Sequence, residues 1–171
     1  SMSGDAGVTF AGGMWLKGLL ATPVGTFFSP SVTLEAAVTV DPATVTEGTV
    51  ATVSGGYGPS LVITVGADGK PRARTWNVFT PGAWTASVIG ATAINDDLVH
   101  HLAATWNNST GTLALYVDGA SAGSVVSSAG TGRFEANGDH ITAGGSSHTP
   151  TLTGTVAYVA AFPSVLSGAR I

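Results

Sequence analysis

The clearest pattern along the chain is an alternation of apolar and polar positions that begins at Val99 and runs, with two interruptions, to Val125. Leu102, Ala104 and Trp106 share one parity, and Leu113, Leu115 and Val117 share one parity in the next run. A period of two marks a strand that buries one face, because successive side chains leave the pleat on opposite sides. The interruptions are Asn107-Asn108-Ser109-Thr110-Gly111 and Asp118-Gly119. The first tolerates left-handed backbone, and the second is the two-residue signal of a type I′ hairpin. Three consecutive antiparallel strands follow. The hairpin predicts a register in which Val117 faces Ala120, Tyr116 faces Ser121 and Leu115 faces Ala122.

The rest of the chain repeats this grammar. Residues 33–40 alternate until Asp41-Pro42, where proline ends ladder donation. Further strands are predicted at 49–53, 61–65, 72–78, 84–89, 140–143 and 152–162. Turn chemistry separates them at Gly55-Gly56-Tyr57-Gly58-Pro59, Asp68-Gly69, Pro81-Gly82, Asn95-Asp96-Asp97 and a polar loop at 127–132. Residues 8–20 are apolar on both parities and broken at Gly12-Gly13, which predicts two short edge strands and a bend. Residues 163–171 predict a proline-initiated turn entering a short helical segment. With almost no 3.6-residue periodicity, the expected fold class is all-β, a two-layer antiparallel β-sandwich of about a dozen strands closed by a short C-terminal helical turn.

A chain of 171 residues fits one domain. Residues 1–7 are expected to be a cloning remnant and flexible lead-in, and 8–171 a single domain excised from a larger protein. Cysteine is absent, which removes disulfides and thiolate metal sites but fixes no compartment. Only 9% of residues are charged, where about 25% is usual, and the net charge is −4 with six Lys plus Arg. That balance offers no basic footprint for a phosphate backbone, so nucleic acid is excluded as an expected partner. No apolar run approaches the ~18 residues of a membrane span, so membrane insertion is not expected.

The segment V-H-H-L-A-A-T-W, a short turn and G-T-L-A-L-Y-V-D-G at 111–119 resembles the laminin G-like, concanavalin A-like jelly-roll domains. SVTLEAAV at 31–38, ITAGGSS at 141–147 and the closing TLTGTVAYVAAFPSVLSGARI resemble other strands of that family. Two departures stand out: Ala37 replaces the family's usual Trp, and Ala157-Tyr158 replaces a frequent Asp-Glu. The resemblance implies a concanavalin A-like jelly roll and a non-catalytic module that binds a glycan or cell-wall polysaccharide outside the cell or on a virion. The Ala-, Gly-, Thr- and Val-rich composition and the closing segment resemble modules of actinobacterial phage tails and secreted proteins. A host-surface adhesion module is therefore the leading expectation, with host recognition by a phage tail as one form of it. The alternatives are a structural or protein-interaction domain of a tail fibre or other assembly, in contact with neighbouring fibre proteins or with further copies as an oligomer, and an accessory module of a secreted glycoside hydrolase.

Catalytic constellations are missing. A retaining glycosidase needs two carboxyl groups ~5 Å apart, which a strand supplies as residues two apart, yet Glu35, Glu47 and Glu135 are isolated and Asp96 and Asp97 are adjacent. No Gly-x-Ser-x-Gly elbow and no His-Glu-x-x-His occurs. His100 and His101 are consecutive strand residues facing opposite ways, so they cannot chelate one metal; one is expected buried and hydrogen-bonded, the other exposed. Sugar recognition calls for exposed aromatic faces beside amide, carboxylate and imidazole groups. Tyr57, Trp76, Trp84, Asn137, Asp139, His140 and His148 are the candidate ligand-binding residues, while Trp106 on the apolar parity is expected in the core and Trp15 in packing. No cofactor is required, but the resemblance brings calcium as an optional one. Asn95, Asp96, Asp97, Asn137 and Asp139 are the weak candidates to hold it, and turn geometry alone accounts for Asp68 and Asp118.

Overall fold

The computed structural model describes residues 8–10, 16–19, 31–44, 46–55, 58–76, 84–127, 140–145 and 149–171. Side chains are described at 31–44, 46–53, 61–75, 86–127, 140–145 and 149–171. The strands among them form two antiparallel six-stranded sheets. The first sheet runs β1 (Val8–Phe10), β12 (Gly154–Phe162), β3 (Ser31–Val40), β8 (Val99–Asn107), β9 (Thr112–Val117) and β10 (Ala120–Val126). The second runs β2 (Leu16–Leu19), β11 (His140–Ala143), β4 (Gly48–Gly55), β5 (Gly58–Val65), β6 (Pro71–Trp76) and β7 (Trp84–Ile89). The two short N-terminal strands are edge strands, one to each sheet.

Alternation decides which face is buried. Val32, Leu34, Ala36 and Val38 of β3, with Leu102, Ala104 and Trp106 of β8, meet Leu61, Ile63 and Val65 of β5 in one core, each at most 1% exposed. Fully burying one such aliphatic side chain stabilises the fold by roughly 1.5–3 kcal/mol, so this face sets the register of both sheets. Trp106 lies in that core as the sequence predicts.

The outward face of the first sheet is also partly covered. Thr33, Ala103, Thr105 and Ala114 have the opposite parity to the core residues, yet each is at most 8% exposed. The segment after β12 folds back over them. The Thr33 hydroxyl donates to the Ser164 carbonyl at 2.7 Å and accepts from the Leu166 N–H at 2.9 Å, and Leu166 is buried. The short helical turn expected within 163–171 is a 3-10 turn at Gly168–Arg170, entered from an extended Ser167.

Three sequence expectations are corrected in detail. The β9–β10 hairpin turns at Asp118 and Gly119 with φ of 51° and 77°, as a type I′ turn demands. Beyond Ser121, however, a β-bulge shifts the register, so Leu115 opposes Gly123 and not Ala122. Gly123, at φ 141°, supplies the backbone that the bulge requires. Leu152 precedes β12 as a buried plug, its N–H bonded to the Gly144 carbonyl at 2.9 Å. His100 and His101 are both half-buried, and both are hydrogen-bonded.

Gly154 opens β12 at φ 155°, and a Cβ built there would lie 2.4 Å from the Thr39 carbonyl oxygen. That oxygen belongs to the backbone of a central strand and cannot swing aside. Gly154→Ala is therefore expected to destabilise the protein by about 2–4 kcal/mol in equilibrium denaturant unfolding. A loss below about 0.5 kcal/mol would show that the β12–β3 pairing relaxes freely at this point.

Candidate functional site

One end of the sandwich is closed by the 90–98 connection between β7 and β8 and by the β9–β10 hairpin. Ile94 anchors the connection, buried in the core at 1% exposure with its N–H on the Gly69 carbonyl at 2.9 Å. The carboxylate of Asp96 then accepts from the Leu98 N–H at 3.0 Å, and Asp97 takes the left-handed conformation at φ 62° that Asp adopts more readily than most residues. Between this connection and the hairpin lies a pocket of about 320 Å³. Its walls carry short side chains, among them Ala91, Ala93, Ala120 and Ala122, and its polar groups are chiefly Asp96, His100 and Asp118.

These three form a linear network. His100 Nδ1 lies 2.8 Å from Asp118 Oδ2, and His100 Nε2 lies 3.1 Å from Asp96 Oδ1. Asp118 Oδ1 accepts from the His101 backbone N–H at 2.8 Å, while the Asp118 N–H donates to the His101 carbonyl at 2.8 Å. The strand geometry dictates this meeting. Leu102 pairs with Val117, so the next step of the antiparallel ladder brings His101 opposite Asp118, and the pleat turns His100 inward to the mouth between the sheets.

Electrostatics match the geometry. Partial burial opposes charge on the His100 imidazole, but hydrogen bonds and charge from Asp118 and Asp96 outweigh it and hold its pKa above the ordinary 6.5. The Leu98 N–H and the imidazole hold Asp96 below the usual carboxylate value. Burial raises Asp118, yet His100 and the His101 N–H overcome that and keep it low as well.

A second titratable cluster occupies the opposite face of β8. His101 Nε2 lies 2.7 Å from the Tyr158 hydroxyl and 3.8 Å from Glu35 Oε2, and the His101 and Tyr158 rings stack with centroids 6.1 Å apart. Ala37 pairs with both residues and so sits between them. A small side chain at 37 and a ring at 158 thus belong to one arrangement. Glu35 Oε1 is buried without a hydrogen-bond partner. Burial and the neighbouring Glu35 charge push the Tyr158 hydroxyl above its ordinary pKa.

The sequence-predicted residues are divided between the two ends of the molecule. Asn95, Asp96 and Asp97 lie at the pocket end, where Asp96 lines the pocket and Asn95 Nδ2 donates to the Pro42 carbonyl at 3.5 Å. Trp76 pairs with Trp84 and His140 pairs with Ser54, which places these backbone positions at the other end of the second sheet. Tyr57, Asn137, Asp139, His148 and Trp15 lie outside the described residues. His100 and Asp118 are pocket residues that the sequence reading assigned to structure and to turn chemistry. The signal that locates them is the ladder offset between the His-His pair and the hairpin tip.

Residues 17–171 match the laminin G branch of the family described as the concanavalin A-like lectin/glucanases superfamily. The chain belongs to this superfamily. Its fold is shared with the CBM40 of the Ruminococcus gnavus IT-sialidase bound to α2,3-sialyllactose, at 14% identity and TM-score 0.74, covering 96% of this chain and 92% of that one. A putative carbohydrate binding protein from Bacteroides ovatus aligns at 21% identity and TM-score 0.64, over 87% of this chain and 41% of that one. Mouse laminin α1 domains LG4-5 align at 14% identity and TM-score 0.58, over 84% and 40% respectively. No curated protein matches the chain by sequence. No helix among the described residues is long and apolar enough to cross a membrane.

Membership of the superfamily raises the question of calcium, and the donor set at the pocket answers it for that place. Calcium takes six to eight oxygens, whereas Asp96 Oδ1 and both Asp118 oxygens already accept hydrogen bonds, and an imidazole stands between the two carboxylates. The described residues here do not fit the ion without displacing His100.

The network links stability to pH in two directions. Because the folded pKa of His100 is raised, its contribution is fully present below about pH 6.5 and is lost as pH rises through the folded value. Because Asp96 and Asp118 are lowered, theirs is present above about pH 3.9 and is lost as pH falls through their folded values. Thermal unfolding between pH 4 and 9 is expected to show a melting temperature that declines as pH rises above about 6.5, with that decline flattened in His100→Gln. An identical alkaline limb in the variant would remove the imidazolium from the account.

Proposed function

We propose that this domain is a non-catalytic carbohydrate-binding module whose ligand enters the pocket between the 90–98 connection and the β9–β10 hairpin. The observation that carries the reading is the pocket itself: polar groups held in fixed orientation among short side chains, at the loop end of a rigid sandwich. Its volume of about 320 Å³ is at the small end of ligand pockets, roughly 300–1,000 Å³, and gives room for one terminal sugar residue. The likeness to a carbohydrate-binding module and to a putative carbohydrate binding protein supports the same reading.

The chemistry of the network argues against hydrolysis. A glycosidase needs one carboxyl group kept protonated as an acid, by a raised pKa. Both carboxylates here are lowered. Both nitrogens of His100 are engaged by carboxylates, so neither is free to serve as a general base. Calcium is not needed for the ligand to meet Asp96, His100 and Asp118.

A binding module of this kind suits recognition of a host surface by a phage tail, or adhesion by a secreted protein, and both place it outside the cell or on a virion. Service as an accessory module beside a hydrolase is compatible with the same pocket. A structural place in a fibre or other assembly is favoured by one feature, the exposed Ile89 and Val126, at 53% and 71%, on the edge strands β7 and β10.

Binding of the purified protein to cell-wall polysaccharides and a glycan panel, with calcium and then with a chelator, tests the proposal. Saturable binding that survives chelation and weakens about tenfold in Asp118→Ala, with the melting profile checked in parallel, is the expected result. Loss of binding in His140→Ala with Asp118→Ala intact would move the site to the opposite end of the sandwich. Silence toward every glycan, together with self-association by light scattering, would replace binding with assembly.

A further inference from the structure

The pocket has a charge, and charge selects among sugars. Among the described residues that line it, the polar side chains are two carboxylates and an imidazole with Ser121 and Thr92, and none is Lys or Arg. Arg72, at the same end, has the opposite parity to the core residue Ala73, and its guanidinium is held 3.0 Å from Asp68. Among the described lining residues, then, no cation offers a partner to a ligand carboxylate except the His100 imidazolium, which already has a carboxylate at each nitrogen. The Asp96 side chain, in contrast, is 47% exposed, so its carboxylate faces solvent and can accept from a ligand.

From these groups we infer that the pocket discriminates by charge, taking an amine-bearing sugar such as a free hexosamine in preference to a neutral one, and a neutral one in preference to an acidic one such as a sialylated glycan. This rests on the carbohydrate-binding reading above and specifies its ligand class. An ammonium group donates up to three hydrogen bonds and no acceptor, which matches carboxylate oxygens at the wall. A sugar hydroxyl can donate to the same oxygens without the charge. A ligand carboxylate placed there meets like charge and, among the described lining residues, no free cation to repay the loss of its hydration. The fold is shared with a module bound to sialyllactose, so the proposal assigns this chain a specificity opposite to that of a structural neighbour.

The test is isothermal titration of the whole chain at neutral pH with glucosamine oligomers, their N-acetylated counterparts, lactose and 3′-sialyllactose. The glucosamine oligomers are expected to bind about tenfold more tightly than the N-acetylated ones, and sialyllactose more weakly than lactose. Asp96→Asn and Asp118→Asn should each reduce the amine advantage. Glu47→Gln removes the same charge just before β4, where Glu47 pairs with Arg74 of β6, and should leave the advantage intact. An equal reduction in Glu47→Gln would mean that overall net charge, and not the pocket, attracts the amine. Equal affinity for amine and acetyl forms, or sialyllactose binding at or above lactose, would overturn the inference while leaving the carbohydrate-binding reading in place. Failure of all four ligands and of the wider glycan panel would overturn that reading as well.

Discussion

The pocket end of the molecule depends on one pairing, Leu102 with Val117, made one residue before the hairpin turns. Because side chains alternate strictly, this pairing sets three things together. It buries Leu102 in the core, brings Asp118 opposite the His101 backbone, and leaves His100 facing inward where β9 has ended. A slip of one residue would turn Leu102 outward and break both the amide contact and the imidazole contact of Asp118. The hydrophobic core and the polar network are thus specified by a single choice of register.

Much of this was legible in the chain. The alternation around Trp106, the Asp118-Gly119 turn and the strand segments follow from local rules, and local rules suffice where one face must be buried. The strands of the described residues and their two-sheet arrangement follow in turn. What local rules missed were features decided by more distant neighbours. The bulge before Gly123 changes the partner of Leu115, although the turn residues alone imply an unbroken ladder. The joint role of Asp96 and Asp118 was hidden because each has a sufficient local explanation as a turn residue, and only the path of the 90–98 connection brings them to one imidazole.

The departures from the family pattern at Ala37 and Tyr158 are close neighbours in the fold. Both pair across β3 and β12, with His101 completing the row from β8. A small residue at 37 gives the tyrosine ring space to reach His101, and the tyrosine hydroxyl supplies the partner that the imidazole needs. In sequence these looked like unrelated losses, one of bulk and one of charge. In the fold they form one exchange of shape and hydrogen bonding on the outer surface of the first sheet.

The two-sided hold on His100 also bears on the entropy of association. With a carboxylate at each nitrogen, the ring has one orientation, and with the Leu98 and His101 amides on those carboxylates, their rotamers are restricted too. Ordering a free side chain at a binding surface costs roughly 0.5–1.5 kcal/mol, and here that cost is met when the chain folds. A ligand of the kind proposed for the pocket would meet groups that are already still, so even a small contact area could give useful affinity.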